Sequence, residues 1–537
     1  MRAKADKDGI DMLLIDTGDR IEGNGLYDGS NPKGEYTFDI FKQQDIDVIC
    51  SGNHELYKQN SSYDEFYKTV PNFKGSYLAS NLDIYNPETG ELEPLAPRFK
   101  FFKTKNQGIR IAAFGFLYNF QGNANNTVVK AVQDVIQEQW FQDVIRDCDV
   151  DLFLVAGHVG IRSDEFDIIY RAIRDIQWHT PIQFFGGHTH IRDFKKYDEA
   201  SYAIESGRYL ETIGFMSIDG LRTGKTDVEV SQASLAFRRR YIDNNLYSFH
   251  NHTSLNGSTF PTALGKNVSA QIAHDRKILG LDHIYGCAPI DLWVNRAEVS
   301  SSNSVFTWLG REVLPNKLTE NGKAKIVISN TGAMRFDIFK GPFTRDTTFL
   351  VSPFTSGFRY IKCVNYGVAK KLLEVLNKNA QTLQDINPTL NSIPLSSPEQ
   401  LQVARSILAW ENKLTSSNLD QVPLTGKSSL TPGYTTKDDG GEDGDDTVHS
   451  QIMYYQVPNC IQTQIDFPKD YEKLATVDVV YNEFIEPWII TALQFLGHEY
   501  DRKDTSTYLE GRSLTDIISE WVEENWPCRT ETMDTHQ

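Results

Sequence analysis

IQFFGGHTHI, residues 182–191, runs from a short apolar stretch through two glycines into a His-Thr-His triplet. An aromatic and β-branched run that ends on glycine predicts a buried strand stopping in a tight turn. Three other places repeat the arrangement. MLLID (12–16) leads into DTGDR (16–20), DVICS (47–51) into SGNHELY (51–57), and VDLFLVAG (150–157) into VAGHVG (155–160). IRIAAFGFL (109–117) is a fifth run of the same kind, and AVQDVIQEQWFQDVIRD (131–147) carries apolar residues at helical spacing. Strands apolar throughout, alternating with helices, predict a layered α/β domain whose sheet is covered on both faces.

In such domains ligands gather beyond the carboxyl ends of the strands. Those ends hold Asp19, Asn53, His54, His158, His188 and His190. Imidazole and carboxylate donors together suit Zn²⁺, Mn²⁺ or Fe²⁺. A single GNH or GH is most simply a turn with a hydrogen-bonded histidine, and alternate residues of an extended GHTH would face opposite ways. The ordered set of four, each after a strand, predicts a metal centre instead.

Composition narrows what such a centre could serve. The 537 residues exceed one ordinary domain, and 40% apolar with 23% charged residues is globular usage. Lys plus Arg number 54 against 72 Asp plus Glu, a formal charge of -18, which argues against broad binding to nucleic acid polymers or anionic membranes. No run approaches the roughly 20 apolar residues of a membrane span. The six cysteines contain no CxxC pair, which disfavours a thiolate zinc site, and a remote disulfide such as Cys460 to Cys528 stays open. MRAKADKDGIDML at the start has no apolar core and is not a signal peptide. Sequons at Asn60, Asn125, Asn251, Asn256 and Asn267 match chance frequency and say little about compartment.

Three segments follow: a domain over 1–228, a polar connector over 229–285 with some helix after Ser269, and a second α/β domain over 286–537. KIVISN (325–330) and TFLVSPF (348–354) read as strands of the second domain, and IISEWVEENW (517–526) as a helix. The acidic stretch KDDGGEDGDDT (437–447) reads as a solvated loop, its spacing not being that of an EF-hand.

The ordered motifs resemble those of the calcineurin-like metallophosphoesterases, in the 5′-nucleotidase branch. YLASNL (77–82), NTGAMRF (330–336), GPFTRD (341–346) and VSPF (351–354) look like further elements of that branch, and the resemblance covers roughly residues 11 to 500. GNHELYK and the acidic stretch look most like a fungal subgroup. The resemblance implies a four-layer α/β/β/α dimetal domain followed by an α/β substrate-binding domain, with substrate held between them. Two divalent ions, Zn, Mn or similar, are implied: Asp19 bridging both, Asn53, His158 and His188 completing one, and His190 serving the other. His54 would stabilise the phosphoryl group and protonate the leaving oxygen. Asn330, Arg335 and Phe354 would bind the nucleoside or its phosphate, Phe354 by stacking. Two ions about 4 Å apart suit this chemistry because they activate water and neutralise phosphoryl oxygens.

The implied function is release of phosphate from nucleoside 5′-monophosphates. A 2′,3′-cyclic-nucleotide phosphodiesterase or UDP-sugar hydrolase is the neighbouring alternative, and a non-catalytic nucleotide-binding protein is the alternative of another class. Two departures bear on these. The branch has an Asp-x-His strand well before its Gly-Asp motif, whereas Asp19 comes too early here to follow one; Asp534-Thr535-His536 is in the wrong place. The expectation is a chain lacking its natural start, or an incomplete metal site. The branch also orients its histidine with an Asp three residues later, where this chain has Tyr57. Members work mostly outside the cytosol, which implies a secretory, vacuolar or extracellular location.

Overall fold

Along 110–117 and 152–158 nearly every residue is apolar, and successive side chains of a strand point to opposite faces. Both faces of the sheet are accordingly buried. Ala112, Phe114, Phe116, Phe153 and Val155 pack on one side with Phe141, Val144, Phe166 and Ile169. Ile111, Ala113, Leu152, Leu154 and Ala156 pack on the other with Val48, Cys50 and Leu78.

The computed structural model describes residues 1–223, 235–397, 400, 431–432, 437–438, 446 and 453–528. They fall into two compact units. One holds Met1–Ile21, Phe38–Gln271 and the described residues of 434–451; the other holds Glu22–Thr37 and the described residues of 272–433 and 452–537. Among the described residues no helix is long and apolar enough to cross a membrane.

In the first unit, β1 (Ile15–Asp16) and β2 (Val48–Ile49) form a parallel pair. β3 (Phe99–Lys103), β4 (Arg110–Leu117), β5 (Leu152–His158), β6 (Ile182–Gly186), β7 (Arg192–Asp198) and β8 (Ser201–Ser206) belong to one sheet. Within it β4, β5, β6 and β8 run parallel, while β3 and β7 are antiparallel additions. Helices α1 (Gln139–Ile145) and α2 (Asp164–Arg174) supply the Phe141 and Phe166 side of the core. The parallel strands thus end on the same side, which brings their loops together.

The stretch read as a polar connector holds more structure than its composition suggests. Ala236–Asp243 pairs antiparallel with Thr212–Asp219, and helices Leu246–Thr253 and Ala263–Ile278 follow. Of the acidic stretch only Lys437, Asp438 and Asp446 are among the described residues, and Asp446 Oδ1 lies 2.7 Å from His252 Nε2. Asp534 to His536 lie outside the described residues.

The second unit contains β9 (Ile284–Ala288), β10 (Lys325–Asn330), β11 (Phe358–Asn365), β12 (Cys460–Ile465), β13 (Thr476–Asn482) and β14 (Thr505–Leu509). Five of these make a sheet in the order β12-β10-β13-β11-β14. KIVISN is strand β10 as read, and the tail forms helix Leu514–Asn525. TFLVSPF is not a strand. Helix Arg345–Val351 takes its first half, because Thr344 and Thr347 close a reciprocal capping box that starts a helix there.

Cys528 pairs with Cys287 on β9, not with Cys460, which is a buried free thiol. The bridge spans 241 residues of sequence, so it removes much freedom from the unfolded chain. Cys528→Ser is expected to lower unfolding free energy by about 3–5 kcal/mol. A urea melt of the variant that overlays the wild type would show that the bridge adds nothing to stability.

Candidate functional site

β1, β2, β5 and β6 each deliver one loop to the same place, and glycine lets two of them touch. A Cβ on Gly52 would stand 2.1 Å from Asp19 Oδ1, and one on Gly18 would stand 2.2 Å from the Gly52 nitrogen. Only hydrogen at these two positions permits such an approach. Asp19, His188 and His190 have φ of 59°, 75° and 63°, in the left-handed region. Non-glycine residues occupy it sparingly and cluster there at functional sites. This turn is also why the period-two argument fails for GHTH: His188 and His190 lie past the end of β6, not on a strand.

Asp19, His158 and His188 present donor atoms within 4.8 Å of one another, a group able to hold a metal ion. His158 Nδ1 lies 2.9 Å from the Thr17 carbonyl, which can only accept, so that nitrogen carries the proton and Nε2 offers its lone pair. Nε2 stands 2.9 Å from Asp19 Oδ2, near in distance but without hydrogen-bond alignment. The carboxylate beside it favours a cation at that nitrogen, a proton or a metal ion. Burial works to raise Asp19, but His158 and His54 beside it carry it well below the usual carboxylate range. Burial first, and then the neighbouring His158, hold His188 well below the ordinary histidine value, so it is a neutral imidazole. Tyr118 stacks on that ring at 4.3 Å and fixes its plane.

Asn53 is buried beside this group. Its Oδ1 is buried and has no hydrogen-bond partner, as has His158 Nε2. Two orphaned buried lone pairs beside a carboxylate and a neutral imidazole fit a divalent cation, since leaving such groups unsatisfied costs about 1–3 kcal/mol each. His54 is at the rim: its backbone N–H donates to Asp19 Oδ1 at 2.9 Å, and its Nε2 is 3.9 Å from Asp19 Oδ2. His190 stands outside the three-residue group, with its ring 5.7 Å from that of Tyr209. The structure thus brings together Asp19, Asn53, His54, His158 and His188, with His190 on the next turn.

Glu55 and Arg20 went unread in the sequence, although the Glu of GNHE and the Arg of DTGDR are adjacent to read residues. Glu55 is fully buried and accepts the backbone N–H groups of Arg20, Gly52 and Asp19 at 2.6, 2.9 and 3.1 Å. It ties the Asp19 loop to the Asn53 loop. Arg20 binds Asp16, Glu65 and the Cys50 carbonyl, holding both loops from beneath. Glu205 does the same for the third loop, accepting from the Thr189 backbone N–H at 3.0 Å and from its hydroxyl.

Burial pushes Glu205 well above the ordinary glutamate value, outweighing its Thr189 hydrogen bonds. An acid raised in the folded state lends stability below its unfolded value that is lost as pH climbs toward the folded value. Glu205→Gln keeps an acceptor for Thr189 and cannot ionise. Its melting temperature relative to wild type, in EDTA, is therefore expected to rise between pH 5 and 8. A flat difference would mean that Glu205 titrates as in the unfolded chain.

The three residues expected to bind substrate, Asn330, Arg335 and Phe354, lie in the second unit. Asn330 ends β10, buried, with Oδ1 lacking a hydrogen-bond partner. The Arg335 guanidinium lies over the half-buried Phe354 ring, 5.0 Å from its centroid.

Comparison with known proteins defines the class. Residues 2–192 match the calcineurin-like phosphoesterase family, and residues 291–490 match the NAD nucleotidase C-terminal domain. A Schizosaccharomyces pombe protein is 36% identical over 98% of this chain and 86% of its own length. An Arthroderma benhamiae protein named "Secreted protein" is 34% identical over 98% of this chain and 85% of its own. The crystal structure of 5′-nucleotidase from Candida albicans superposes with a TM-score of 0.82 at 34% identity, covering 98% of this chain and 91% of that one. A Thermus thermophilus 5′-nucleotidase precursor shares the fold, with a TM-score of 0.56 at 14% identity, 98% of this chain and 90% of that one.

Fold and partly buried carboxylate-imidazole group together define a metal-dependent phosphoester hydrolase. The chain belongs to the calcineurin-like phosphoesterase family, and its second half carries the C-terminal domain shared by 5′-nucleotidases and NAD nucleotidases.

Proposed function

We propose that this protein releases phosphate from nucleoside 5′-monophosphates with two divalent ions, Zn²⁺ or Mn²⁺. The observation that carries the reading is the partly buried group of Asp19, His158 and His188 with the orphaned Asn53 oxygen, in a chain 34% identical to a Candida albicans 5′-nucleotidase. Asp19, Asn53, His158 and His188 would hold metal, and His190 would serve the second ion. Divalent ions supply Lewis-acid activation of water and neutralise phosphoryl oxygens. The chain's own groups do the rest. His54, anchored through its backbone to Asp19, faces the phosphoryl group and protonates the departing 5′-oxygen. Arg335, already lying over Phe354, offers a rigid fork to phosphate, while Phe354 and Asn330 take the base.

A secretory route belongs to the same proposal. The Cys287–Cys528 bridge suits an oxidising compartment, and one relative bears the name "Secreted protein".

Turnover of AMP, 2′,3′-cyclic AMP, UDP-glucose and NAD, with Mn²⁺ and with EDTA, followed by chromatography of the products (adenosine and phosphate, an adenosine monophosphate, UMP and glucose 1-phosphate, and AMP and nicotinamide mononucleotide, respectively), tests the reading. AMP is expected to be fastest, with no turnover in EDTA. Faster turnover of the cyclic nucleotide, the UDP-sugar or NAD would replace the substrate assignment. Tight nucleotide binding without turnover would favour the non-catalytic alternative.

A further inference from the structure

A tyrosine stands where the family resemblance leads one to expect a carboxylate that orients the histidine, and the structure shows what this side chain reaches. Residues 54–56 form a single 3-10 turn with Asn53 at its start and Tyr57 at its end. The Tyr57 hydroxyl lies 3.0 Å from Asn53 Nδ2 and accepts its N–H. An amide held by its nitrogen can present only its oxygen in the other direction, and Asn53 Oδ1 is the buried atom left without a hydrogen-bond partner. The same ring meets His54 edge-on at 5.1 Å and Phe120 at 5.4 Å. Phe120 continues to Tyr118, which stacks on His188. One aromatic wall therefore runs from the Asn53 amide, past His54, to the His188 imidazole.

We propose that Tyr57 is a positioning residue for the metal site: its hydroxyl locks the Asn53 amide with Oδ1 toward Asp19 and His158, while its ring sets the plane of His54. The proposal rests on the reading of Asn53 as a metal ligand. Without the lock, the amide is free to turn its NH₂ toward the metal, and the site loses a donor for part of the time. Partners of metal ligands typically contribute 10–100-fold to metal affinity. A carboxylate at position 53 would need no such lock, because its two oxygens are equivalent under rotation.

Mn²⁺ affinity of the full chain, titrated calorimetrically, is the test, with the melting temperature in EDTA as the control for folding. Tyr57→Phe removes one hydroxyl and keeps the ring contacts, so its EDTA melting temperature is expected to stay close to wild type. Its Mn²⁺ affinity is expected to fall about tenfold. In the Asn53→Asp background the same Tyr57→Phe change is expected to cost less than about twofold, since the lock is then redundant. Purely structural packing by Tyr57 would give equal losses in both backgrounds. Equal losses, or undiminished affinity in Tyr57→Phe while Asn53→Ala binds weakly, would overturn the proposal for Tyr57 alone. Undiminished affinity in Asn53→Ala would overturn the ligand assignment, and the Tyr57 proposal with it.

Discussion

Asp19→Asn is expected to lower kcat/KM for phosphoester hydrolysis at least about 10³-fold, a loss of ~4 kcal/mol of transition-state stabilisation. The substitution isolates charge from shape. Asp19 has φ of 59°, which asparagine tolerates better than most residues, so the loop keeps its path. An amide oxygen can still accept the His54 backbone N–H that Oδ1 now accepts at 2.9 Å. What disappears is the negative charge beside His158 and His188, the one carboxylate in the three-residue group. Without it the remaining donors are neutral and hold a divalent cation weakly. Phosphate release at saturating Mn²⁺ checks this. A variant keeping more than a tenth of the wild-type rate would remove Asp19 from the metal site.

Glu55→Ala is expected to destabilise the first unit by about 3–5 kcal/mol, and to weaken metal binding although Glu55 is no ligand. Three backbone N–H groups, those of Asp19, Arg20 and Gly52, would lose a common acceptor in a fully buried place. Each buried donor left unsatisfied costs about 1–3 kcal/mol, partly recovered as the loops relax. That relaxation moves Asp19 and Asn53 apart, which is why metal affinity falls as well. Arg20 keeps Asp16 and Glu65, so its charge is not stranded. Glu55→Gln retains one acceptor oxygen and is expected to fall between wild type and alanine. Urea melts in EDTA measure the order. Equal stability of the alanine variant and wild type would show that the two loops do not depend on this carboxylate.

Both results turn on residues whose value differs between text and fold. Asp19 was legible because its motif is local: a strand, a glycine and a carboxylate in sequence order. Glu55 was not, because an acceptor shared by three N–H groups from two loops is invisible until those loops meet. Tyr57 was legible only as a departure where an Asp is expected, and that its hydroxyl accepts from Asn53 Nδ2 is visible in the fold alone.

The sequence by itself determined the apolar strands of the first unit, the set of motifs at their ends, and the metal chemistry those side chains can support. These follow from short-range rules: a buried strand must be apolar on each covered face, and a tight turn over a ligand needs glycine. Only the tertiary structure decided that TFLVSPF begins as a helix, that Cys528 joins Cys287, and that Glu22–Thr37 groups with the second unit. It alone showed Glu55 and Arg20 binding two loops into one site. The physical reason is common to all of these. A strand or a glycine turn is fixed by its immediate neighbours. A disulfide partner or a shared buried acceptor is fixed by which distant segments the hydrophobic cores bring together, and no local pattern records that choice.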